Sequence, residues 1–532
     1  MSSVPDVLSF VSDLGLNVEQ GKEGWLCECP RWRSPGHPPG LVCKLNLDLG
    51  IFHCPACSDG GSIDLLQRWI DDLIRVTRTD EGNALRLVRM HRHDIRWTQS
   101  GWYAWDGQVW IGDPKAKLEV IRRARTVSEE ILADAEDLYA KERAEAQPED
   151  VGKKKKKTEG DKIHAWGMQS KSLDKITDMI ELTKSEPRIY TDSGDLDRNP
   201  WRLNCHNGTI DLTNGGLLPY DRRDLMTKII QTDYIPGGYG CPKWKAFLHD
   251  IFLGDEELIR YVQKAVGYSL TGLTSEQSLF ILHGDGENGK SKFLKVITEL
   301  LGPYALSTRP EAFMLKKNDS MPDEIAHTNG VRLVVASEAT DRRLDESLVK
   351  QLTGGDRMMA RFLYKSSFQF EPKFKLWISG NYKPSIKGTD RGIWRRMRLI
   401  PFNYQVPPEK KDLSIEAKLL AELVGVLEWA VKGCLLWQKE GLTVPKAVEA
   451  ATEAYRQESD PILAFLDEKA HASEGYVAKQ ALYSIYREWA EDRGEVPLPS
   501  KKFNDEMRKQ GFADRHMKFG YVWINLQLSV KT

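Results

Sequence analysis

No apolar run of this 532-residue chain reaches transmembrane length, so a helical membrane anchor is excluded within it. The opening residues, MSSVPDVLSFVSDLG, lack a basic start and carry Asp6 and Asp13 inside their apolar part. A secretory leader is therefore not expected, and a cytoplasmic location is. Charge of one sign is also missing. The 76 Lys and Arg balance the 77 Asp and Glu to a net −1, so any nucleic-acid surface must be local. Cysteine is sparse, with eight in all, yet Cys27, Cys29, Cys43, Cys54 and Cys57 fall together near the start. Such clustering in a cytosolic chain favours a metal over disulfides. There is no internal repeat, and no N-K-x-D motif to select guanine.

Punctuation along the chain predicts six parts. Residues 1–70 form a cysteine- and proline-rich module, 71–200 a mainly helical domain, and 201–275 a hairpin followed by helices. A core built on an apolar strand and a glycine-rich loop spans 276–405, a helical extension 406–455, and a last mixed helix–strand part 456–532. A charged, turn-rich segment at 147–161, with lysines at 153–157, reads as a solvated loop. Trp201–Leu212 alternates apolar and polar residues around Asn207-Gly208, the pattern of a hairpin.

The most specific segment is LFILHGDGENGKSKFLKVITEL, residues 279–300. An apolar strand runs into Gly284-Asp285-Gly286-Glu287-Asn288-Gly289-Lys290-Ser291 and then into an amphipathic helix, matching the P-loop pattern G-x-x-x-x-G-K-[ST]. Glycines let backbone N–H groups cradle phosphates, and the helix presents its positive end. Lys290 is placed to reach the β/γ-phosphates of ATP and Ser291 to ligate Mg²⁺. VRLVVASE, ending in Glu338, reads as a buried strand beside the P-loop strand, with its acid polarising the attacking water. Ser337 stands where a second acid is common, which leaves Asp323 or Glu324 open as helpers. KFKLWISGN delivers Asn381, whose amide can bond the γ-phosphate. Arg391, Arg395, Arg396 and Arg398 then crowd one short run. Guanidinium forks suit a developing phosphoryl charge, and one supplied by a neighbouring subunit would make the ATPase a ring.

In this order these motifs, with KQLTGGD at 350–356, resemble the superfamily 3 helicases, and more narrowly the phage/plasmid and poxvirus-type primase–helicases. TDEGNA at 79–84, GWYAWDG at 101–107, NGTIDL at 207–212 and VGYSLTG at 266–272 resemble the domain that precedes the ATPase in that family. The resemblance implies an α/β P-loop core (AAA+-like superfamily 3) in a hexameric ring that moves along DNA using ATP. It implies Lys290 and Ser291 on nucleotide, Glu338 as catalytic acid, Asn381 as sensor, and Arg395 or Arg396 as the finger reaching the next subunit. It also implies a channel hairpin near 362–374, with Tyr364 and Lys365 on DNA.

Cys54-Pro55-Ala56-Cys57 is a knuckle that with Cys29 and His37 would supply four Zn²⁺ ligands, with Cys27, Cys43 and His53 in reserve. The surrounding sequence resembles the ribbon of bacterial-type primases, except that Arg31-Trp32 stand where a histidine would follow. For a polymerising site the best carboxylates are Asp195 and Asp197, and they lie in a turn-rich loop. At the end, the Tyr483, Tyr486 and Trp489 stripe reads as core, while 456–532 resembles the winged-helix domain common at the end of that family, which implies Lys501, Lys502 and Arg508 as candidates for DNA. The function expected is an ATP-dependent replicative helicase of a phage, plasmid or other mobile element, in the host cytoplasm. Its expected partners are single-stranded and forked DNA, its own copies, and a separate primase or polymerase. The alternatives are a bifunctional primase–helicase, and an initiator platform that does not unwind.

Overall fold

The structure is a computed structural model; it describes residues 77–145, 157–315, 323–338, 342–361, 367–386, 391–493, 496–518 and 520–528, together with five short strands near the start. Those strands, β1 (Val18–Gly21), β2 (Gly24–Glu28), β3 (Leu41–Asn46), β4 (Ile51–His53) and β5 (Gly60–Ser62), form one antiparallel sheet in sequence order. Cys27 and Cys43 are register partners across β2 and β3, and Cys43 is buried. Cys29, His37, Cys54 and Cys57 lie outside the described residues.

The chain divides into two compact units, residues 1–198 with 221–227, and residues 199–220 with 228–532. In the first, helix α1 (Asp80–His91) starts where Thr79 accepts from Gly82 N–H. Strands β6 (Ile95–Thr98), β7 (Gly101–Trp105) and β8 (Trp110–Gly112) follow, then helices α2 (Lys115–Glu145), α3 (Glu159–Gln169) and α4 (Leu173–Thr183). Helices make up most of this region, and the three-stranded sheet inside it was not foreseen. Its tryptophans Trp97, Trp102, Trp105 and Trp110 pack in tilted pairs, so GWYAWDG is a strand and its turn. Asp197, in contrast, holds a turn: its carboxylate accepts from Thr227 N–H at 2.8 Å and from the Thr227 hydroxyl.

In the second unit, β9 (Arg202–Cys205) and β10 (Gly208–Asp211) make the expected hairpin at Asn207-Gly208, and β11 (Gly216–Leu218) extends it. Helices α5 (Pro242–Ile251) and α6 (Glu256–Ser269) lead to a five-stranded sheet. That sheet comprises β12 (Leu279–His283), β13 (Ala305–Thr308), β14 (Leu333–Ser337), β17 (Lys375–Gly380) and β18 (Met397–Pro401), all parallel, in the order β13-β14-β17-β12-β18. Between them run α7 (Lys290–Leu301), α8 (Asp323–Ala326), α9 (Glu346–Gly354), the hairpin β15 (Met358–Arg361) and β16 (Ser367–Phe370), and α10 (Arg391–Trp394). The sequence pattern places the Glu338 strand β14 beside the P-loop strand β12, and the structure corrects this. The Asn381 strand β17 is inserted between them. Local periodicity carries no information on such a crossover.

Helices α11 (Ile415–Leu420), α12 (Leu423–Glu440) and α13 (Lys446–Glu458) follow the sheet, and α6 packs against α12. Gly267 and Gly433 permit that close approach. A Cβ on Gly267 would stand 2.0 Å from Cys434 N, and one on Gly433 would stand 2.1 Å from Gln263 O. The last segment runs α14 (Pro461–Lys469), β19 (Ala470–Ala478), α15 (Lys479–Asp492), α16 (Ser500–Lys509), β20 (Asp514–Met517) and β21 (Gly520–Leu528), with sheet order β19-β21-β20. Tyr486 and Trp489 are buried in its core, as read.

In Gly267→Ala the methyl favours helix by roughly 1 kcal/mol, but it strikes backbone rather than a movable side chain, a cost of about 1–3 kcal/mol or more. The collision should win, and urea unfolding should show a net loss of stability.

Candidate functional site

Strand β12 ends at His283, and the chain turns through Gly284–Gly289 into α7. Two features force this path. Glu287 and Gly289 have left-handed backbones, at φ 54° and 86°. At Gly284, a Cβ would come within 2.2 Å of the Phe402 carbonyl oxygen. The loop is fastened to the segment after β18. Asn288, 2% exposed, donates its amide to Phe402 O at 3.1 Å, Val406 N–H donates to Glu287 O at 3.1 Å, and Lys411 pairs with the Glu287 carboxylate at 2.7 Å. Glu287 and Asn288, read from sequence as cradle positions, are therefore also anchors. The local motif could not show this, because the partners lie more than a hundred residues away.

Helix α7 begins at Gly289 with no side-chain cap, so its first N–H groups and its positive end face the loop. Lys290 is buried in this turn. Its ammonium lies 2.5 Å from Gly284 O and 3.3 Å from Asn381 Oδ1. Desolvation lowers its pKa from the ordinary lysine value, and the charge of Asp285 opposes that shift. Ser291 is exposed on the first helical turn. The lysine thus joins two motifs that the sequence reading had linked only by their order.

Glu338 directly follows β14, exposed, with φ 66°. Asn381 directly follows β17 and is also exposed. The register pairs Ser337 with Ser379 and Leu282 with Ser379, so Glu338, Asn381 and the P-loop leave the same edge of the sheet. Strands two apart are separated by about 10 Å, room for phosphates and a hydrated cation between acid and loop. Asp323, left open as a helper, stands 3.5 Å from His327.

The arginines occupy the opposite edge. Met397 pairs with Leu279 at the start of β12, so Arg395 and Arg396 are separated from their own P-loop by about 15 Å of strand. The two differ sharply. Arg396 is buried, and its guanidinium donates to Thr353 Oγ1 at 3.1 Å and to Gly392 O at 2.7 Å. Arg395 is exposed, and bonds Gln277 Oε1 at 3.1 Å. Hairpin β15–β16 pairs Arg361 with Ser367, so its arms begin earlier than the expected 362–374. Tyr364 and Lys365 lie outside the described residues.

Family models match three stretches. One described as D5 N terminal like covers residues 84–253, a family of unknown function covers 282–396, and one described as Poxvirus D5 protein-like covers 457–526. A provisionally named helicase of Acanthamoeba polyphaga mimivirus is 28% identical over 334 residues, 58% of this chain and 35% of its own length. Another, of Frog virus 3, is 26% identical over 270 residues, 46% of this chain and 28% of its own length. The chain spans about a third of the length of these relatives. The apo structure of the NrS-1 C terminal region aligns with a TM-score of 0.42 and 12% identity, over 66% of this chain and 89% of that one. The resemblance to poxvirus-type proteins that the motifs carry is borne out by the matches on either side of the P-loop segment.

Asn288→Ala should leave the chain folded but free the loop from Phe402. MgATP affinity should fall about tenfold by calorimetry, which is about 1.4 kcal/mol. Unchanged affinity would show that the anchor is dispensable.

Proposed function

We propose that this chain, a relative of poxvirus D5-type proteins, is an ATP-dependent replicative DNA helicase of a virus, phage, plasmid or other mobile element, working as a ring, with a hexamer as the expected size. One observation carries the reading. Lys290, Asn381 and Glu338 gather at one edge of a parallel sheet, while the arginine pair sits at the other, out of reach of the same nucleotide. Such a subunit has half of a site at each end, and stacking head to tail closes both.

In this reading Lys290 and the first turn of α7 hold the triphosphate, Ser291 ligates Mg²⁺, Glu338 orients the water and Asn381 contacts the γ-phosphate. Arg395 is the better finger, because Arg396 is committed to Thr353 and Gly392. The β15–β16 hairpin would carry Tyr364 and Lys365 to DNA in the channel. The order helix, strand, helix, helix, strand, strand in 461–528 supports the winged-helix reading. There Arg508 is paired with Asp505 and Asp514, so Lys501 and Lys502, exposed at the start of α16, are the better DNA contacts. A zinc site on Cys29, His37, Cys54 and Cys57 remains part of the proposal.

A polymerising centre at Asp195 and Asp197 is disfavoured. Asp197 is taken up by Thr227, and Asp195 pairs with Arg198 at 3.2 Å. A separate primase partner fits this better than a bifunctional chain.

The test is unwinding of forked duplexes of both polarities with ATP. Wild type should separate one of them, and Lys290→Ala should not. Lys290→Ala and Arg395→Ala subunits, each inactive alone, should recover hydrolysis when mixed, because one keeps the finger and the other the P-loop. A protein that stays a single copy with DNA and nucleotide, and hydrolyses none, would overturn the proposal.

A further inference from the structure

We propose that Tyr455 is a positioning residue that couples the Asn381 loop of a subunit to the arginine which that subunit offers its neighbour; this rests on the ring reading above. Tyr455 lies on α13, and no motif contains it. It is 2% exposed. Its hydroxyl donates to the carbonyl of Pro384, three residues after Asn381. Its ring meets Trp394, the residue before Arg395, edge-on at 5.3 Å and 77°. One side chain thus touches both ends of the connection that runs from the sensor to the finger.

The rest of the helix strengthens the contact. Lys383 places its ammonium 5.6 Å over the Tyr455 ring and 2.6 Å from Glu458, one turn further on. Thr452, one turn back, accepts from Leu399 N–H at 3.1 Å, so α13 is also registered on β18. The sensor loop is held from its other side, where Ser385 N–H donates to Arg342 O and Leu344 N–H donates to Ser385 O, both at 2.9 Å. A loop gripped in this way cannot shift its carbonyl without moving what grips it, because close-packed side chains transmit displacement.

A purely space-filling role would be met equally well by phenylalanine, which differs only in the hydroxyl. Burial raises the phenol's pKa well above its ordinary value, so the group is a lasting donor to Pro384. When a γ-phosphate draws on Asn381, the pull passes through Pro384 to the Tyr455 ring, and from there to Trp394 and the backbone of Arg395. A subunit's own nucleotide would thereby set the finger that acts on the next one.

The experiment compares steady-state ATP hydrolysis and thermal melting of full-length Tyr455→Phe with wild type, in the presence of single-stranded DNA. The expected result is a kcat lower by about tenfold, with KM for ATP within about twofold and melting close to wild type. Lys383→Met should lower kcat in the same direction and Lys383→Arg should restore it, which keeps the test open should the tyrosine variant fold poorly. Wild-type kcat in folded Tyr455→Phe and in Lys383→Met overturns the coupling. So does a fall in kcat that only tracks lost melting temperature and that Lys383→Arg does not repair. An inactive wild type overturns the ring reading instead.

Discussion

Two buried cations at the N-terminal edge of the parallel sheet fix the base on which the rest stands. Arg332, just before β14, donates to the carbonyls of Leu270 and Arg202, and Lys375, the first residue of β17, donates to those of Thr271 and Leu273. Leu270 is the C-cap of α6, so these charges meet the negative end of a helix as well as its unpaired carbonyls. Burial pushes the Lys375 pKa well below the ordinary lysine value, and Tyr268 offers its ring at 4.8 Å. An isolated buried ammonium costs several kcal/mol, and the carbonyls offset that cost only while α6 ends against the sheet, so the clamp holds α6 and the parallel sheet in one geometry.

The segment VGYSLTG now has a physical reading, residue by residue. Gly267 lets α12 come close. Tyr268 packs at a tilt against Trp437, and its hydroxyl accepts from Glu276 N–H. Ser269 accepts from the Trp377 indole, Leu270 and Thr271 receive the two cations, and Gly272 N–H donates to Pro200 O. Sequence reasoning saw the motif only as a likeness. Its constraints are long-range contacts, and none of them leaves a periodic trace.

The strands leading to the glycine-rich loop, to Glu338 and to Asn381 were legible because each is a short apolar run ending in a polar residue, and a buried parallel strand needs little else. Their order was not legible, since the inserted β17 is a matter of crossover. The sheet at 95–112 escaped because its strands are three to five residues long and built on tryptophans, too short for a period to emerge. Asn288 was legible as part of a pattern, but not as an anchor, since Phe402 stands far along the chain.

The arginine pair shows where composition stops and geometry begins. Arg395 and Arg396 are neighbours of the same chemistry, and any rule based on residue type treats them alike. They leave the short helix α10 just before β18, where adjacent side chains cannot share one environment. One is drawn inward to cap Gly392 and bond Thr353, and the other is left outside near Gln277. The inward one secures the turn, and so fixes the direction in which its neighbour leaves the surface. The consecutive pair thus divides into an arginine that secures the turn and one that faces outward, and the two are not interchangeable.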